Sequence, residues 1–193
     1  MGEVRTVAVI GAGMMGRGIA QVAALGGYRT ILEDVLPGDL RHAEGEIRGH
    51  LDKAVESGKV GAPEATAALG RLEFARSVED AARQADLVIE AVPDELESKL
   101  EIFTLLDKIC RPGTILATNT SCLSISEIAS VTYRAPQCVG MRFVTPVQEM
   151  KRLEIVRGRE TDKATVAAVA EVGRRMGKET VVVGDEESVV RSQ

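Results

Sequence analysis

Short apolar segments alternate with longer amphipathic segments along most of the chain. The apolar segments are rich in Val, Ile and Leu, which is typical of strands buried on both faces of a parallel sheet. They predict strands over residues 4–10, 30–32, 72–75, 86–92, 114–118, 137–143, 153–156 and 180–183. The amphipathic segments predict helices over residues 14–25, 37–59, 63–69, 94–110 and 162–176. Ser77 and Ser124 each precede an acid by three residues, which predicts caps of two further short helices.

This alternation predicts an α/β fold of Rossmann type, with a doubly wound, mainly parallel sheet and helices on both faces. The sequence has no short-period repeat and no low-complexity tract, and nothing in it resembles a linker before the last few residues. We therefore predict one domain over residues 1–184, followed by a short C-terminal tail over residues 185–193.

The composition narrows the range of partners. The chain has 193 residues with a net charge of −5, and 45% of them are hydrophobic. An acidic chain offers no basic face for nucleic acid, and no apolar run approaches the roughly 20 residues of a membrane span. The three cysteines lack metal-ligand spacing, so we expect a cytoplasmic protein with reduced thiols and no bound metal.

The sequence GAGMMG follows the first predicted strand and opens the first predicted helix. In a dinucleotide-binding turn, Gly11 allows the tight bend, Gly13 lets the backbone approach a pyrophosphate, and Gly16 lets the helix pack closely on the strand. The first helical N–H groups, at Met14 and Met15, then face the phosphates together with the positive end of the helix dipole. The motif predicts a dinucleotide site, although the same glycines also serve tight turns without a ligand.

An acid at the end of the second predicted strand supports the dinucleotide interpretation. Asp34 lies about 20 residues beyond the glycine turn, where a carboxylate accepts hydrogen bonds from both adenosine ribose hydroxyls. A carboxylate also repels a 2′-phosphate, so the predicted cofactor is NAD rather than NADP. The neighbouring Glu33 is predicted not to be the ribose ligand. The alternative for Asp34 is a solvated acid at a strand end.

Four segments carry a more specific signal: GAGMMGRGIAQVAA (11–24), DLVIEAV (86–92), TNTSCLSISEI (118–128) and GMRFVTPVQEMKRLEIVRG (140–158). Together they resemble the N-terminal domain of the 3-hydroxyacyl-CoA dehydrogenases, and the resemblance covers nearly the whole chain. It implies an NAD-dependent enzyme that oxidises the 3-hydroxyl of a hydroxyacyl-CoA and passes the hydride to NAD.

The resemblance implies a role near the cofactor for several residues. The loop after DLVIEAV passes over the cofactor, which brings Ala91 and Val92 close to it. Lys99 matches a family lysine near the nicotinamide half, and Asn119 matches an asparagine near the nicotinamide ribose. From the residues alone, Lys99 is also compatible with a solvated helix lysine, and Asn119 with a cap of the turn after a strand.

A second group of residues matches the reacting end of the family's site. Ser121 matches a serine that hydrogen-bonds the substrate oxygen, and Glu154 matches a glutamate that orients the catalytic histidine. Glu90 matches an acidic position at the end of its strand. Ser121, Glu154 and Arg142 are therefore the predicted catalytic residues. The alternatives are a turn cap for Ser121, an outward-facing strand residue for Glu154 and a structural acid for Glu90.

The chain departs from the family at the catalytic motif His-Phe-Phe-Asn-Pro. It has Arg-Phe-Val-Thr-Pro over residues 142–146, so Arg142 occupies the histidine position and Thr145 the asparagine position. Neutral histidine accepts the hydroxyl proton near pH 7, whereas arginine stays protonated and has no acceptor lone pair. We predict that Arg142 instead forms an ion pair with Glu154. The only two histidines, His42 and His50, are predicted to be solvated residues of the helix over 37–59.

The resemblance also implies a helical domain after the cofactor domain, with most of the dimer contact and part of the acyl pocket. The connecting Pro-Gly-Phe motif is not found in the tail over residues 185–193. We therefore expect either a homo-oligomer or a separate helical partner.

Two functions remain open from the sequence. The first is an impaired NAD-dependent oxidoreductase that acts on the 3-hydroxyl of a hydroxyacyl thioester or of a related 3-hydroxy acid. In that case the small-molecule substrate is an acyl-CoA, or an acid whose carboxylate Arg142 binds through a bidentate contact. The second is a catalytically silent NAD(H)-binding module that acts as a sensor or docks onto a partner.

Overall fold

The computed structural model describes residues 2–185. The strands are β1 (Thr6–Ile10), β2 (Arg29–Glu33), β3 (Leu72–Ala75), β4 (Leu87–Glu90), β5 (Ile115–Thr118), β6 (Cys138–Phe143), β7 (Arg152–Arg157) and β8 (Glu179–Gly184). The helices are α1 (Met14–Leu25), α2 (Pro37–Glu56), α3 (Ala62–Gly70), α4 (Val78–Ala82), α5 (Leu96–Ile109), α6 (Ile125–Ala129) and α7 (Lys163–Arg175), with a 3₁₀ turn at Ala135–Gln137. The predicted elements are thus all found, with ends that shift by a few residues.

The strands form one eight-stranded sheet in the order β3-β2-β1-β4-β5-β6-β7-β8. The first six strands of the chain pair in parallel, β7 pairs antiparallel with β6, and β8 pairs in parallel with β7. The order reverses between β1 and β4, because the chain runs outward from β1 to β3 and then returns to the other side of β1. Ligands of doubly wound sheets bind in the crevice that such a reversal opens at the carboxyl ends of the strands.

Helices cover both faces of the sheet, as predicted. One apolar cluster joins the sheet to α1, α2, α3 and α7, and a second cluster joins it to α4, α5 and α6. Small residues let α1 lie directly on the sheet: a Cβ on Gly16 would lie 1.7 Å from the carbonyl oxygen of Gly11. The absence of a side chain at Gly16 therefore lets α1 pack directly against the turn, which is the role predicted for the third glycine.

Helix α2 is continuous in spite of its three glycines. Its buried residues are spaced three or four apart, so that one side of the helix faces the core: Leu40, Ala43, Ile47 and Leu51. This apolar stripe outweighs the roughly 1 kcal/mol that each glycine costs a helix relative to alanine.

The two predicted serine caps are present. Ser77 Oγ accepts a hydrogen bond from the N–H of Asp80 at the start of α4, and Ser124 Oγ accepts one from the N–H of Glu127 at the start of α6. The predicted tail lies outside the described residues apart from Asp185, whose carboxylate accepts hydrogen bonds from Ser124 Oγ and from the N–H of Ile125. Asp185 therefore joins the end of β8 to the start of α6.

None of the helices within residues 2–185 has the length and apolar character needed to cross a membrane. In the same part of the chain, no group of three or more His, Cys, Asp or Glu side chains is arranged to bind a metal. The three cysteines are unpaired. Burial raises the pKa of Cys110 and of Cys138 to about 11, so both thiols stay protonated near neutral pH.

Candidate active site

A cleft of about 790 Å³ opens at the carboxyl ends of β1, β4, β5 and β6, at the reversal of the strand order. The residues that line it come from five loops, from the start of two helices and from the end of β6: Gly11, Gly13, Met14, Met15, Asp34, Leu36, Asp39, Ala91, Val92, Pro93, Asp94, Asn119, Thr120, Ser121, Arg142, Phe143 and Thr145. Most of the predicted cofactor residues therefore border one cavity, together with Ser121 and Arg142. Gly16, Lys99 and Glu154 do not border it.

The glycine turn has the conformation that a pyrophosphate site needs. Gly11 has φ of +99°, which disfavours residues with a side chain. A Cβ on Gly13 would meet no atom within 4 Å, so the backbone is open on that side. Helix α1 begins with no side-chain cap and no acid in its first turn. Its first N–H groups and its positive dipole end are therefore available to an anion.

Asp34 is held at the rim of the cleft by two backbone groups. Its Oδ2 accepts a hydrogen bond from the N–H of Ala12 at 2.9 Å, and its Oδ1 accepts one from the N–H of Leu36 at 2.9 Å. Each oxygen keeps a second lone pair. The carboxylate is therefore fixed beside the glycine turn with acceptors left for a ribose diol, and the residues fit NAD.

Glu33, the last residue of β2, lies beside Asp34 but faces away from solvent. Its side chain is buried with 2% of its surface exposed, and its Oε1 has no hydrogen-bond partner among the described residues. Burial, reinforced by the negative charge of Asp34, raises the pKa of Glu33 to about 7. Glu33 is thus a buried neighbour of Asp34 and not a residue of the cleft.

We expect Glu33→Gln to stabilise the protein above neutral pH and to have little effect in acid. Glu33 has an ordinary pKa of 4.5 and a folded pKa of about 7, so the folded state holds the proton more tightly than the unfolded state. Ionised Glu33 therefore lowers the free energy of unfolding of the native protein. This loss of stability is absent below the unfolded pKa of Glu33, grows as pH rises, and is complete above its folded pKa. A shift of this size corresponds to at most about 3 kcal/mol of unfolding free energy.

Urea unfolding of both proteins at several values between about pH 5 and pH 8 measures this difference. Glu101→Gln, on the exposed face of α5, is the matched control and should leave the pH dependence unchanged. A Glu33→Gln effect of the same size at every pH would contradict the assignment of a buried, titrating Glu33.

Glu90 and Lys99 form a fully buried ion pair behind the wall of the cleft. Lys99 Nζ lies 2.7 Å from Glu90 Oε1 and 2.9 Å from Oε2, and both side chains are 0% exposed. Lys99 Nζ also donates to the carbonyl oxygen of Val92, whose own N–H donates to Glu90 Oε1. Thr118 Oγ1 donates to Glu90 Oε2 at 2.6 Å.

Lys99 does not border the cleft, and its predicted place near the nicotinamide half stays a prediction. A buried ammonium needs a carboxylate partner, and Glu90 supplies it, so Lys99 lies inside the protein rather than on the surface of the cleft. The alternative of a solvated lysine is wrong, because the Lys99 side chain is 0% exposed. Lys99 contacts the lining of the cleft from behind: its Nζ donates to the carbonyl oxygen of Val92 at 3.2 Å and lies 3.7 Å from Asp94 Oδ1.

Asp94 is a residue of the cleft that the sequence did not single out. Its Oδ2 accepts hydrogen bonds from Ser121 N–H at 2.9 Å and from Ser121 Oγ at 2.7 Å. Burial alone would raise the pKa of Asp94, but hydrogen bonds from Thr120 and Ser121 and the charge of Lys99 lower it. Its place in the loop directly after a buried strand was the available signal, because such loops carry functional residues.

Asn119 and Ser121 follow β5, and both border the cleft. Asn119 Oδ1 accepts a hydrogen bond from the N–H of Phe143 at 3.0 Å, which fixes the side chain against β6. Ser121 is oriented by Asp94. The sequence ATNTS therefore brings two polar side chains to the cleft, one held by β6 and the other by Asp94.

The predicted ion pair between Arg142 and Glu154 is present. The two residues are directly opposite in the antiparallel pair of β6 and β7, and Arg142 Nη1 donates to Glu154 Oε2 at 3.2 Å. Arg142 Nε donates to the carbonyl oxygen of Thr120 at 3.0 Å. The second oxygen of Glu154 accepts from Arg152, so one carboxylate serves two guanidinium groups. Glu154 thus lies behind Arg142 rather than in the cleft.

Neither histidine borders the cleft. His42 is exposed on α2. His50 is half-buried and borders a smaller cavity of about 200 Å³ together with Arg17 and Glu46. We call the part of the cleft beside Arg142, Ser121 and Asp94 the reacting end. No histidine among the described residues borders it.

Three features define a Rossmann domain that binds NAD: the crevice at the strand reversal, the open glycine turn and the carboxylate of Asp34 at the end of β2. The chain matches the family described as "3-hydroxyacyl-CoA dehydrogenase, NAD binding domain" over residues 6–186. It therefore belongs to the 3-hydroxyacyl-CoA dehydrogenase family.

Similar proteins include enzymes of this family and a more distant dehydrogenase. A probable 3-hydroxybutyryl-CoA dehydrogenase of Bacillus subtilis (strain 168) is 40% identical over 95% of the chain, which spans 63% of that relative's length. The crystal structure of 3-hydroxybutyryl-CoA dehydrogenase from Escherichia coli K12 superposes with a TM-score of 0.92 at 37% identity, covering 95% of this chain and 39% of that one. An NAD⁺-dependent pyridine carboxylic acid 5-dehydrogenase superposes with a TM-score of 0.87 at 28% identity, covering 98% and 60%.

Proposed function

We propose that this protein is an NAD(H)-dependent oxidoreductase that acts on the 3-hydroxyl or 3-keto group of an acyl thioester or a related acid. It reacts slowly, because Arg142 occupies the position of the base. The observation that carries the proposal is the shared cleft: Ser121 and Arg142 border the same cavity as the glycine turn and Asp34. When bound, NAD supplies the hydride acceptor at the reacting end.

The similar proteins support this choice of reaction. The Bacillus and Escherichia relatives are named for 3-hydroxybutyryl-CoA. The more distant dehydrogenase is named for a pyridine carboxylic acid, so the same fold also serves acids that carry no CoA. The proposal therefore includes free acids as well as acyl-CoA thioesters.

The chemistry of the side chains explains why the reaction is slow. Protonated Arg142 has no lone pair for the hydroxyl proton. Ser121 Oγ donates to Asp94 Oδ2 at 2.7 Å, which orients the serine oxygen to accept a hydrogen bond from a substrate hydroxyl. The low pKa of Asp94, which Thr120, Ser121 and Lys99 maintain against the effect of burial, makes it a weak base. Loss of a positioned base costs roughly 10²- to 10⁴-fold in rate.

NADH formation at 340 nm, with NAD and 3-hydroxybutyryl-CoA or 3-hydroxybutyrate, tests the proposal. We expect slow, saturable turnover that Ser121→Ala abolishes. Ser130→Ala, at an exposed serine outside the cleft, is the matched control and should leave the rate unchanged. NADH binding without turnover of either substrate would contradict the proposal.

One observation favours a second function. No imidazole borders the cleft within residues 2–185, while the glycine turn and Asp34 keep the geometry of a cofactor site. A module that binds NAD(H) without turnover, as a sensor or docking protein, would show this combination. The turnover assay separates the two functions.

We expect Asp34→Asn to weaken NADH binding by about 10-fold or more, because hydrogen bonds to a charged group contribute about 1.5–3 kcal/mol. The substitution also removes the charge that repels a 2′-phosphate, so the preference for NADH over NADPH should narrow. Fluorescence titration with both cofactors measures this. Asp52→Asn, on the exposed side of α2, is the control, and equal losses of affinity in both variants would contradict the role of Asp34.

The proposal extends to a cytoplasmic location and to assembly with a second copy of the chain or with a separate helical chain. Val181 and Val182 of the terminal strand β8 are 44% and 51% exposed, which leaves an apolar edge on the sheet. Size-exclusion chromatography with light scattering measures the assembly state.

A further inference from the structure

Arg142 has unused hydrogen-bonding capacity at the border of the cleft. Its guanidinium group has five N–H donors, and the structure gives partners to Nε and Nη1. Nη2 is buried and has no hydrogen-bond acceptor among the described residues. A buried polar group without a partner is costly in a native protein. A ligand in the cleft can supply the missing acceptor only if the guanidinium group turns toward the cleft, because Nη2 has no accessible surface in this conformation.

The contact with Glu154 does not fully neutralise the positive charge of Arg142. Charge-assisted arginine–carboxylate contacts are often bidentate, with N···O distances of about 2.7–2.9 Å. Arg142 instead makes a single contact with Glu154, at 3.2 Å. Arg152 takes the other oxygen of Glu154. Two guanidinium groups thus share one carboxylate, and one positive charge remains uncompensated at this point of the sheet. A neutral histidine in place of Arg142 would leave none.

The chain next to Arg142 in the cleft carries the hydrogen-bonding side chain of Ser121. Arg142 Nε contacts the carbonyl of Thr120, and the next residue, Ser121, is hydrogen-bonded to the carboxylate of Asp94. The cation of Arg142 and the hydroxyl oxygen of Ser121 thus border the same cleft. A small molecule with a carboxylate at one point and a hydroxyl or keto group at another matches this arrangement, whereas a neutral thioester leaves the cation unmatched.

From this geometry we infer that Arg142 binds a carboxylate of the substrate, which makes the substrate a hydroxy or keto acid with a free acid group. The inference rests on the proposed function, because it names the substrate class of the same cleft. Arg142 is then a substrate-binding residue that replaces a proton acceptor. Turning the guanidinium group toward the cleft exchanges its single 3.2 Å contact with Glu154 for the planar, two-point contact that carboxylates make with arginine.

The test compares an acid with its uncharged ester on the NADH complex of the full chain. Acetoacetate and methyl acetoacetate differ at the carboxylate and have nearly the same shape. Isothermal titration of each into protein saturated with NADH should show acetoacetate binding at least about 10-fold more tightly, as expected for a charge-assisted contact. This comparison needs no variant, so it does not depend on how a substitution folds.

Two variants assign the preference to one residue. Arg142→Met should reduce acetoacetate binding to the level of the ester, and Glu154 keeps Arg152 as a partner in this variant. Arg152→Met is the matched control, because Arg152 binds the same carboxylate but does not border the cleft; it should retain the preference for the acid.

The outcomes separate the inference from the proposed function. Equal binding of acid and ester, or a preference that persists in Arg142→Met, overturns the inference while NADH binding stands. Failure to bind NADH contradicts the proposed function itself.

Discussion

Replacing Arg142 with His and Thr145 with Asn raises the rate of 3-hydroxybutyryl-CoA oxidation by about 10²- to 10⁴-fold, the range that a positioned general base contributes. The introduced histidine lies directly opposite Glu154, because position 142 pairs with Glu154 in the register of β6 and β7. The Glu154 carboxylate can then accept a hydrogen bond from one ring nitrogen. The other nitrogen then faces the cleft as a neutral acceptor near pH 7. Measurement of kcat/KM at 340 nm between about pH 6 and pH 9 should also show a rise through the histidine pKa.

Thr145→Asn alone is the control for this gain, since Thr145 borders the cleft but supplies no base. It should leave the rate near that of the unaltered chain. A double variant that still binds NADH without any gain in turnover would mean that the cleft lacks a hydroxyacyl site. The silent cofactor-binding module would then be the better account.

Lys99→Met lowers the free energy of unfolding by about 3–5 kcal/mol, because it leaves the buried carboxylate of Glu90 without its cation. Glu90 and Lys99 are both 0% exposed, so water cannot replace the lost partner. The hydrogen bonds from Val92 N–H and Thr118 Oγ1 remain and limit the loss. Urea unfolding measures the change.

Lys108→Met is the matched control for Lys99→Met, because Lys108 lies on the exposed side of the same helix, α5, in its last turn. Its loss should cost less than about 1 kcal/mol. Glu90→Gln combined with Lys99→Met removes both charges and should be less destabilising than Lys99→Met alone. Equal effects of Lys99→Met and Lys108→Met would contradict the buried pair.

Much of the fold was predictable because periodicity and glycine placement act locally. Helix α1 and strand β3 have the predicted limits, since an apolar period and a bounding turn mark both ends. The direction of β7 was not predictable in the same way. A short apolar run has the same pattern in a parallel and in an antiparallel strand, so the expectation of a mainly parallel sheet left this reversal unassigned.

The residues of the site whose positions follow from local spacing were also predictable, whereas contacts between side chains of separate loops were not. The glycine turn and Asp34 carry fixed backbone requirements, and their positions follow from spacing. The ion pair of Arg142 and Glu154 came from the resemblance and from the chemistry of arginine. The burial of Lys99 and the contact of Asp94 with Ser121 depend on side chains from separate loops, and a helical period does not say which polar residue meets a buried partner.

A fluorescence titration with NADH measures whether this cleft binds NAD(H) through the glycine turn and Asp34. The chain has no tryptophan, so the cofactor's own emission is measured without interference from that residue. We expect saturable NADH binding that is clearly tighter than NADPH binding. An emission that never saturates, or equal affinity for the two cofactors, would contradict this expectation.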